Sequence, residues 1–212
     1  MKIYDITVSI TSDIPVWPGD PALEIQPMMR ISQGDPVNLS AFSATLHLGT
    51  HVDAPFHLFN EGQTVDALPL SVLVGPVWVV EIDHPEYIDC QELERINWPA
   101  IPRVLFKTCN SEYWKSHPLA FQKQFVSLTA EAAAFLVERG IKLVGIDYLS
   151  VDLFTNRHLD AHKILLRNAV IVVEGLNLLG VPPGIYELFC LPLKIVGADA
   201  APARVILREF ET

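Results

Sequence analysis

The chain is poor in three things, and each shortage excludes a class of function. Only 15 of its 212 residues are Lys or Arg, against 25 Asp or Glu, for a formal net charge of -10. Phosphate backbones are bound by clustered basic side chains, and those here are scattered, so nucleic acid is not an expected partner. Cysteine is scarce: Cys90, Cys109 and Cys190 are far apart and odd in number, which fits a reducing compartment better than a disulfide framework. No apolar run approaches the ~20 residues that a membrane-crossing helix requires, and the opening MKIYDITVSI reads as a strand, not a signal peptide. The expectation is a soluble, cytoplasmic protein with no membrane partner.

Apolar residues, in contrast, are plentiful. At 50% hydrophobic and a mean hydropathy of +0.29, a chain of this length can bury a substantial core, and no repeat, low-complexity tract or linker divides it. One domain over residues 1–212 is expected. IYDITVSI (3–10) alternates as a strand does, PVWPGDP (15–21) must turn, and residues 22–48 read as extended segments broken at QGDP (33–36). PVWVVEI, RVLFKT, KLVGID, AVIVVEG, YELFCLPLKIV and RVILREF have the length and composition of buried strands. TAEAAAFLVERG (129–140) is the clearest helix, with Thr129 as N-cap, Ala132, Phe135, Leu136 and Arg139 on one face, and Gly140 as its stop. QELERI and AHKILLRN suit shorter helices, the second capped by Asp160. Strands alternating with two or three helices predict an α/β or α+β domain with a mixed sheet.

There are seven histidines, yet TLHLGTHVDAPFHL (45–58) brings His47, His51, Asp53 and His57 into eleven positions. A helical pairing of His47 with His51 is opposed by Gly49, Pro55 and two β-branched residues. In an extended chain His51 and Asp53 point to one side, and Gly49 lets the backbone turn so that His47 converges on them. Two nitrogens and one oxygen, with no thiolate, suit Zn²⁺ or Mn²⁺ and leave positions open. A divalent cation held this way lowers the pKa of water to ~7, which points to hydrolysis. A lone histidine is more often a core or surface residue; four metal-capable side chains in one short stretch favour a metal site. His84 and His117, each beside a proline, read as solvent-facing. Cys109, followed by Asn110 and Ser111, invites a nucleophile reading but is expected to be a buried, inert thiol at a strand end.

HLGTHVDAPFH (47–57) fits the pattern H-x-G-T-H-x-D-x-P-x-H and resembles the signature of the cyclase-type metal-dependent amidohydrolases, the family that includes bacterial kynurenine formamidase. PVWPGD (15–20), VGIDYLSVD (144–152), LDAH (159–162), VVEGL (172–176) and the region from VPPGIYEL to DAAPARVIL carry the resemblance over nearly the whole chain. It implies a single strand-rich domain of the cyclase type, swivelling β/α-like. It also implies that His47, His51 and Asp53 bind a first divalent metal, and that Asp53 bridges to a second held by His162 and Glu174, with two Zn²⁺ per chain and Mn²⁺ as the alternative. Without the resemblance, His162 would read as a helix-terminus histidine and Glu174 as a solvent-exposed strand end.

By the same resemblance His57 is the proton donor and acceptor, with ligation as its other reading, and Trp17 walls the pocket of a small aryl amide substrate, where it would otherwise be a packing lid. His158 is an addition to the family pattern, either a surface residue or a modulator of the second metal. The implied reaction is hydrolysis of an aryl formamide, N-formyl-L-kynurenine to L-kynurenine and formate in tryptophan degradation, by a homodimer. The rivals are a hydrolase of another cyclic amide or lactone such as isatin, and a metal- or ligand-binding protein without activity.

Overall fold

Along the long strands, apolar residues alternate between two destinations, and this alternation builds the fold. The computed structural model describes residues 1–84, 86–116 and 119–211. In chain order the strands are β1 (Ile3–Asp5), β2 (Glu24–Met29), β3 (Leu39–Ser43), β4 (His51–Asp53), β5 (Val74–Glu81), β6 (Tyr87–Ile88), β7 (Arg103–Lys107), β8 (Ser127–Leu128), β9 (Leu143–Ile146), β10 (Ile171–Glu174), β11 (Gly184–Pro192) and β12 (Ala200–Arg208). The α-helices are α1 (Leu70–Leu73), α2 (Cys90–Glu94), α3 (Ala130–Glu138) and α4 (Asp160–Arg167). The main sheet runs β1-β12-β11-β5-β7-β9-β10-β4, and β4 also pairs with β12, so the strands from β12 to β4 close on themselves and β1 is appended outside that ring.

The two faces of this ring hold different cores. Val52, Val79, Leu105, Leu143, Val173, Leu188 and Val205, one from each strand of the ring, meet in the inner cluster. The intervening residues Val104, Phe106, Val144, Ile146 and Val172 face outward and pack under Leu93 of α2, Ala132 and Leu136 of α3, and Leu165 of α4. β5, β7, β9 and β10 are mutually parallel, as crossovers through α2, α3 and α4 demand, whereas β11, β12 and β4 join antiparallel. The result is the strand-rich α+β fold with a mixed sheet that the sequence implies, with one short helix, α1, beyond the two or three expected. No helix among the described residues is long and apolar enough to cross a membrane.

Several local readings are corrected. The first strand stops at Asp5; beyond it the chain makes an isolated bridge from Thr7 to Leu176. SATLHL is not a strand beyond Ser43, because the chain must turn at Leu46 and His47 to bring the histidines round. Thr129 caps α3 as expected, its hydroxyl accepting from the Ala132 amide. Arg139 is exposed at the end of α3 and lies over the rings of Phe135, on the same face, and of Trp98. Asp160 does not cap α4: Leu159 occupies the N-cap in the left-handed region, and the Ala161 and His162 amides are taken by the carboxylate of Asp152. Asp152 reaches the helix start from an earlier loop, so no local spacing could reveal it. His117 lies outside the described residues.

The end of β10 touches the histidine loop through two glycines. Gly175 has φ +67°, and a Cβ there would lie 2.2 Å from the Gly49 carbonyl oxygen, which has nowhere to move without shifting His51. Gly180 has φ +77°, and a Cβ there would meet no atom within 4 Å. Both alanine variants incur the left-handed penalty of ~1–2 kcal/mol, but only Gly175→Ala adds a backbone collision. At ~2–4 °C per kcal/mol for a chain of this size, Gly180→Ala should lower Tm by about 2–8 °C and Gly175→Ala by clearly more, as thermal denaturation of the two variants will show.

Candidate metal centre

The buried acids and histidines converge because strand pairing makes them neighbours. β4 runs antiparallel to β10 with His51 opposite Glu174 and Asp53 opposite Val172, while Val52 between them faces the inner core. His51, Asp53 and Glu174 therefore share the outer face. α4 lies over that face and contributes His162 from its first turn. The turn through Gly49, φ +61°, brings His47 in from the other side, and the 3₁₀ turn Pro55–His57 places His57 at the rim.

All five side chains read as metal-capable, with His57 beside them, thus surround one point. The His47 Nδ1 lies 3.0 Å from Asp53 Oδ1, His51 Nε2 lies 3.4 Å from Asp53 Oδ1 and 3.3 Å from Glu174 Oε2, and His162 Nε2 lies 3.4 Å from Asp53 Oδ2 and 3.0 Å from Glu174 Oε1. Beside a half-buried group at the rim, His47, His57 and Asp199, two further triads have mutually close ligand atoms able to hold a metal ion: His47, His51 and Asp53, and Asp53, His162 and Glu174. Asp53 belongs to both.

Whether these residues fit a cation can be read from their unused atoms. His51 Nε2 and both carboxylate oxygens of Asp53 are buried and, despite those short approaches, lack an aligned hydrogen bond. Leaving a buried carboxylate unpaired is costly. The opposite ring nitrogens, in contrast, are engaged: His51 Nδ1 donates to the Gly49 carbonyl at 2.9 Å, and His162 Nδ1 donates to Asp152 Oδ2 at 2.6 Å. Each bond fixes a tautomer whose free lone pair on Nε2 faces the centre, the arrangement that orients imidazole ligands. His47 Nε2 is held in the same way by Asp199 Oδ2 at 2.9 Å, leaving Nδ1 to face Asp53. The fit to divalent cations is good.

Charge tells the same story. Burial would lower the His47 imidazole, but the Asp53 carboxylate and the bond to Asp199 outweigh it and raise it to about 9. Burial would likewise lower His162, yet Glu174 and Asp152 hold it well above the usual histidine value. Asp53 and Glu174 are both held down by these imidazoles against the opposing effect of burial. Protons on His47 and His162 thus stand where cations would otherwise balance two buried carboxylates. His57 differs. Burial lowers it from the usual histidine value, and its Nδ1 is 3.7 Å from Asp199 Oδ2, too far for a hydrogen bond.

The centre opens into a cavity of about 270 Å³. Trp17, Leu149 and Leu159 form apolar walls, and Asp20 and Ser150 add polar groups. Trp17 is held edge-on by Phe121 at 5.4 Å between ring centroids and is backed by Phe154 at 5.4 Å. Elsewhere the structure settles readings left open: His158 is exposed and apart from the centre, and His84 Nδ1 accepts from the Glu86 and Tyr87 amides. Cys109 is exposed, not buried, and its thiol is raised by desolvation and by Asp147, so it is no activated nucleophile. The sequence reading missed Asp152, Asp199 and Asp20. Neither Asp152, in the loop ahead of α4, nor Asp199, just before β12, has a spacing that marks it.

Comparison with known proteins agrees with this geometry. Residues 4–153 match the family model Cyclase, described as "Putative cyclase". The kynurenine formamidase of Salinibacter ruber is 38% identical over 215 residues, spanning 99% of this chain and 98% of its own, and that of Bacillus cereus is 36% identical over 204 residues, spanning 96% of each. Among solved structures, a potential metal-dependent hydrolase with cyclase activity superposes with a TM-score of 0.85 at 34% identity, covering 100% of this chain and 99% of that one. Isatin hydrolase A from Labrenzia aggregata superposes at 0.84 with 25% identity, covering 99% and 94%. With its motif, its fold and its full-length likeness in agreement, this chain belongs to the cyclase family of metal-dependent hydrolases.

Proposed function

We propose that this protein is an arylformamidase that hydrolyses N-formyl-L-kynurenine to L-kynurenine and formate, a step of tryptophan degradation. The observation that carries the reading is the pair of triads sharing buried Asp53, set beneath an aromatic wall. In it His47, His51 and Asp53 would hold one divalent cation, and Asp53, His162 and Glu174 would hold a second, Zn²⁺ at both with Mn²⁺ an acceptable substitute for N and O ligands. Such ions supply Lewis acidity toward the formyl carbonyl and lower the pKa of the attacking water.

The chain's own residues do the rest. Trp17 offers a flat face to the aryl ring and, through Phe121 and Phe154, is held in place before substrate arrives. His57, neutral at pH 7 because burial lowers it from the usual histidine value, accepts the proton that water loses and returns it to the departing aryl nitrogen as the C–N bond breaks. Asp199 and Asp152 orient His47 and His162 from behind. Residues 1–212 act as one cyclase-type domain in this reading. A homodimer and a cytoplasmic location complete it: the β2–β3 hairpin exposes Ile25, Met28, Leu39 and Phe42, surface that a second copy would cover, and the three cysteines are unpaired.

Formate release from N-formyl-L-kynurenine, measured with metal content on one chelator-free sample, tests the assignment. Turnover with two metals per chain is expected; metal without turnover on any formamide would move the assignment to lactams of the isatin type. His51→Ala should lose at least a thousandfold in kcat/KM while far-UV circular dichroism stays native.

Neutralising the carboxylate behind His162 should be milder. Asp152→Asn is expected to weaken divalent-metal binding ~10–100-fold, read by chelator competition. The pH dependence of that binding has a definite sign. His47 must give up a proton to ligate, and in the metal-free protein it keeps that proton up to about 9. Apparent affinity should therefore rise about tenfold per pH unit from pH 6 to 8, and a flat profile would contradict the assignment of His47.

A further inference from the structure

One carboxylate in the cavity has no task in the proposed reaction. Trp17, Pro18, Gly19 and Asp20 form a tight turn in which the Asp20 amide donates to the Trp17 carbonyl at 2.9 Å. Proline at the second position and Gly19 at φ +109° in the third are the residues a type II turn requires. The turn holds Trp17 and Asp20 together at its two ends, and both line the cavity above the metal centre. Asp20 is half-buried, and among the described residues no side chain or backbone group donates to its carboxylate.

The cavity has no Lys or Arg among its lining residues. Asp53 and Glu174 are spoken for by the histidines and by the cations they would hold, so Asp20 remains the one lining carboxylate whose charge nothing offsets. A substrate that places its carbonyl at the centre and its ring against Trp17 extends its remaining part toward the turn. What an uncompensated carboxylate beside an indole face favours there is a cation, through a charge-assisted hydrogen bond and a cation–π contact.

We propose that Asp20 is a specificity-determining residue that receives the ammonium group of an amino-acid tail, so that the site selects aryl formamides carrying such a tail over uncharged aryl formamides and lactams. The inference rests on the formamidase reading above and names the part of the substrate that the metal centre does not recognise. The test compares N-formyl-L-kynurenine with 2-formamidoacetophenone, which keeps the aryl formamide and ketone and lacks the amino-acid tail, ammonium and carboxylate together.

Asp20→Asn should lower kcat/KM for N-formyl-L-kynurenine by tenfold or more, chiefly through KM, and the loss should be at least fivefold smaller for 2-formamidoacetophenone. Asp20→Glu should recover part of the discrimination. Equal losses on both substrates, or no loss on N-formyl-L-kynurenine, would overturn the proposal.

Calorimetric binding of L-kynurenine and of 2-aminoacetophenone to the metal-loaded protein keeps the two readings separable. If neither formamide is hydrolysed, yet L-kynurenine binds about tenfold more weakly to Asp20→Asn than to the native protein while 2-aminoacetophenone does not, the formamidase reading falls and the ammonium site stands. If both amines bind to Asp20→Asn as they do to the native protein, the ammonium site falls.

Discussion

The structure depends on a buried carboxylate that its own protein leaves unsatisfied. Asp53 is fully buried, both of its oxygens lack an aligned hydrogen bond, and a second acid, Glu174, stands on the adjacent strand. Two buried carboxylates repel each other and resist desolvation, so the arrangement persists only if positive charge is shared between them. His47 and His162 supply it as protons; a pair of divalent cations would supply it more fully, through the same lone pairs. The conflict at Asp53 is thus what suits this polar cluster to be a metal centre.

The fold meets this requirement by joining elements that come from opposite ends of the chain. β4 is three residues long and pairs on both edges, with β10 and with β12. The closure that completes the barrel is therefore also the one that sets His51 against Glu174 and leaves Asp53 facing α4. The close approach of Gly175 to Gly49 brings the same two segments together a second time. Packing and chemistry share these contacts, so changes in the seam should disturb both.

Around the ligand atoms lies a shell of groups whose role is directional. The Gly49 carbonyl, Asp152 and Asp199 each hold the far nitrogen of one imidazole, so that the near nitrogen offers its lone pair to the centre. Asp152 performs two duties, since it also takes the first free amides of α4 and so locates the helix that carries His162. Among the described residues His57 has no such partner at hydrogen-bonding distance, which in the proposed reading suits it to carry a proton where its neighbours would ligate.

The sequence by itself determined the local chemistry. His47, His51, Asp53 and His57 lie within one short segment, so the alternation of a strand and the freedom of Gly49 were enough to aim them at a common point, and the periodic apolar runs were enough to name the core strands and α3. Tertiary structure alone decided the second half of the centre. Glu174 joins His51 through strand pairing across most of the chain, and His162 joins Asp53 through the seating of α4, relations that no spacing encodes. It also decided Asp152, Asp199 and Asp20, isolated acids in loops whose meaning is the imidazole or cavity they face. Short-range geometry is set by bond rotations between neighbouring residues; long-range geometry is set by which faces must be buried together, and that becomes visible only once the chain has closed.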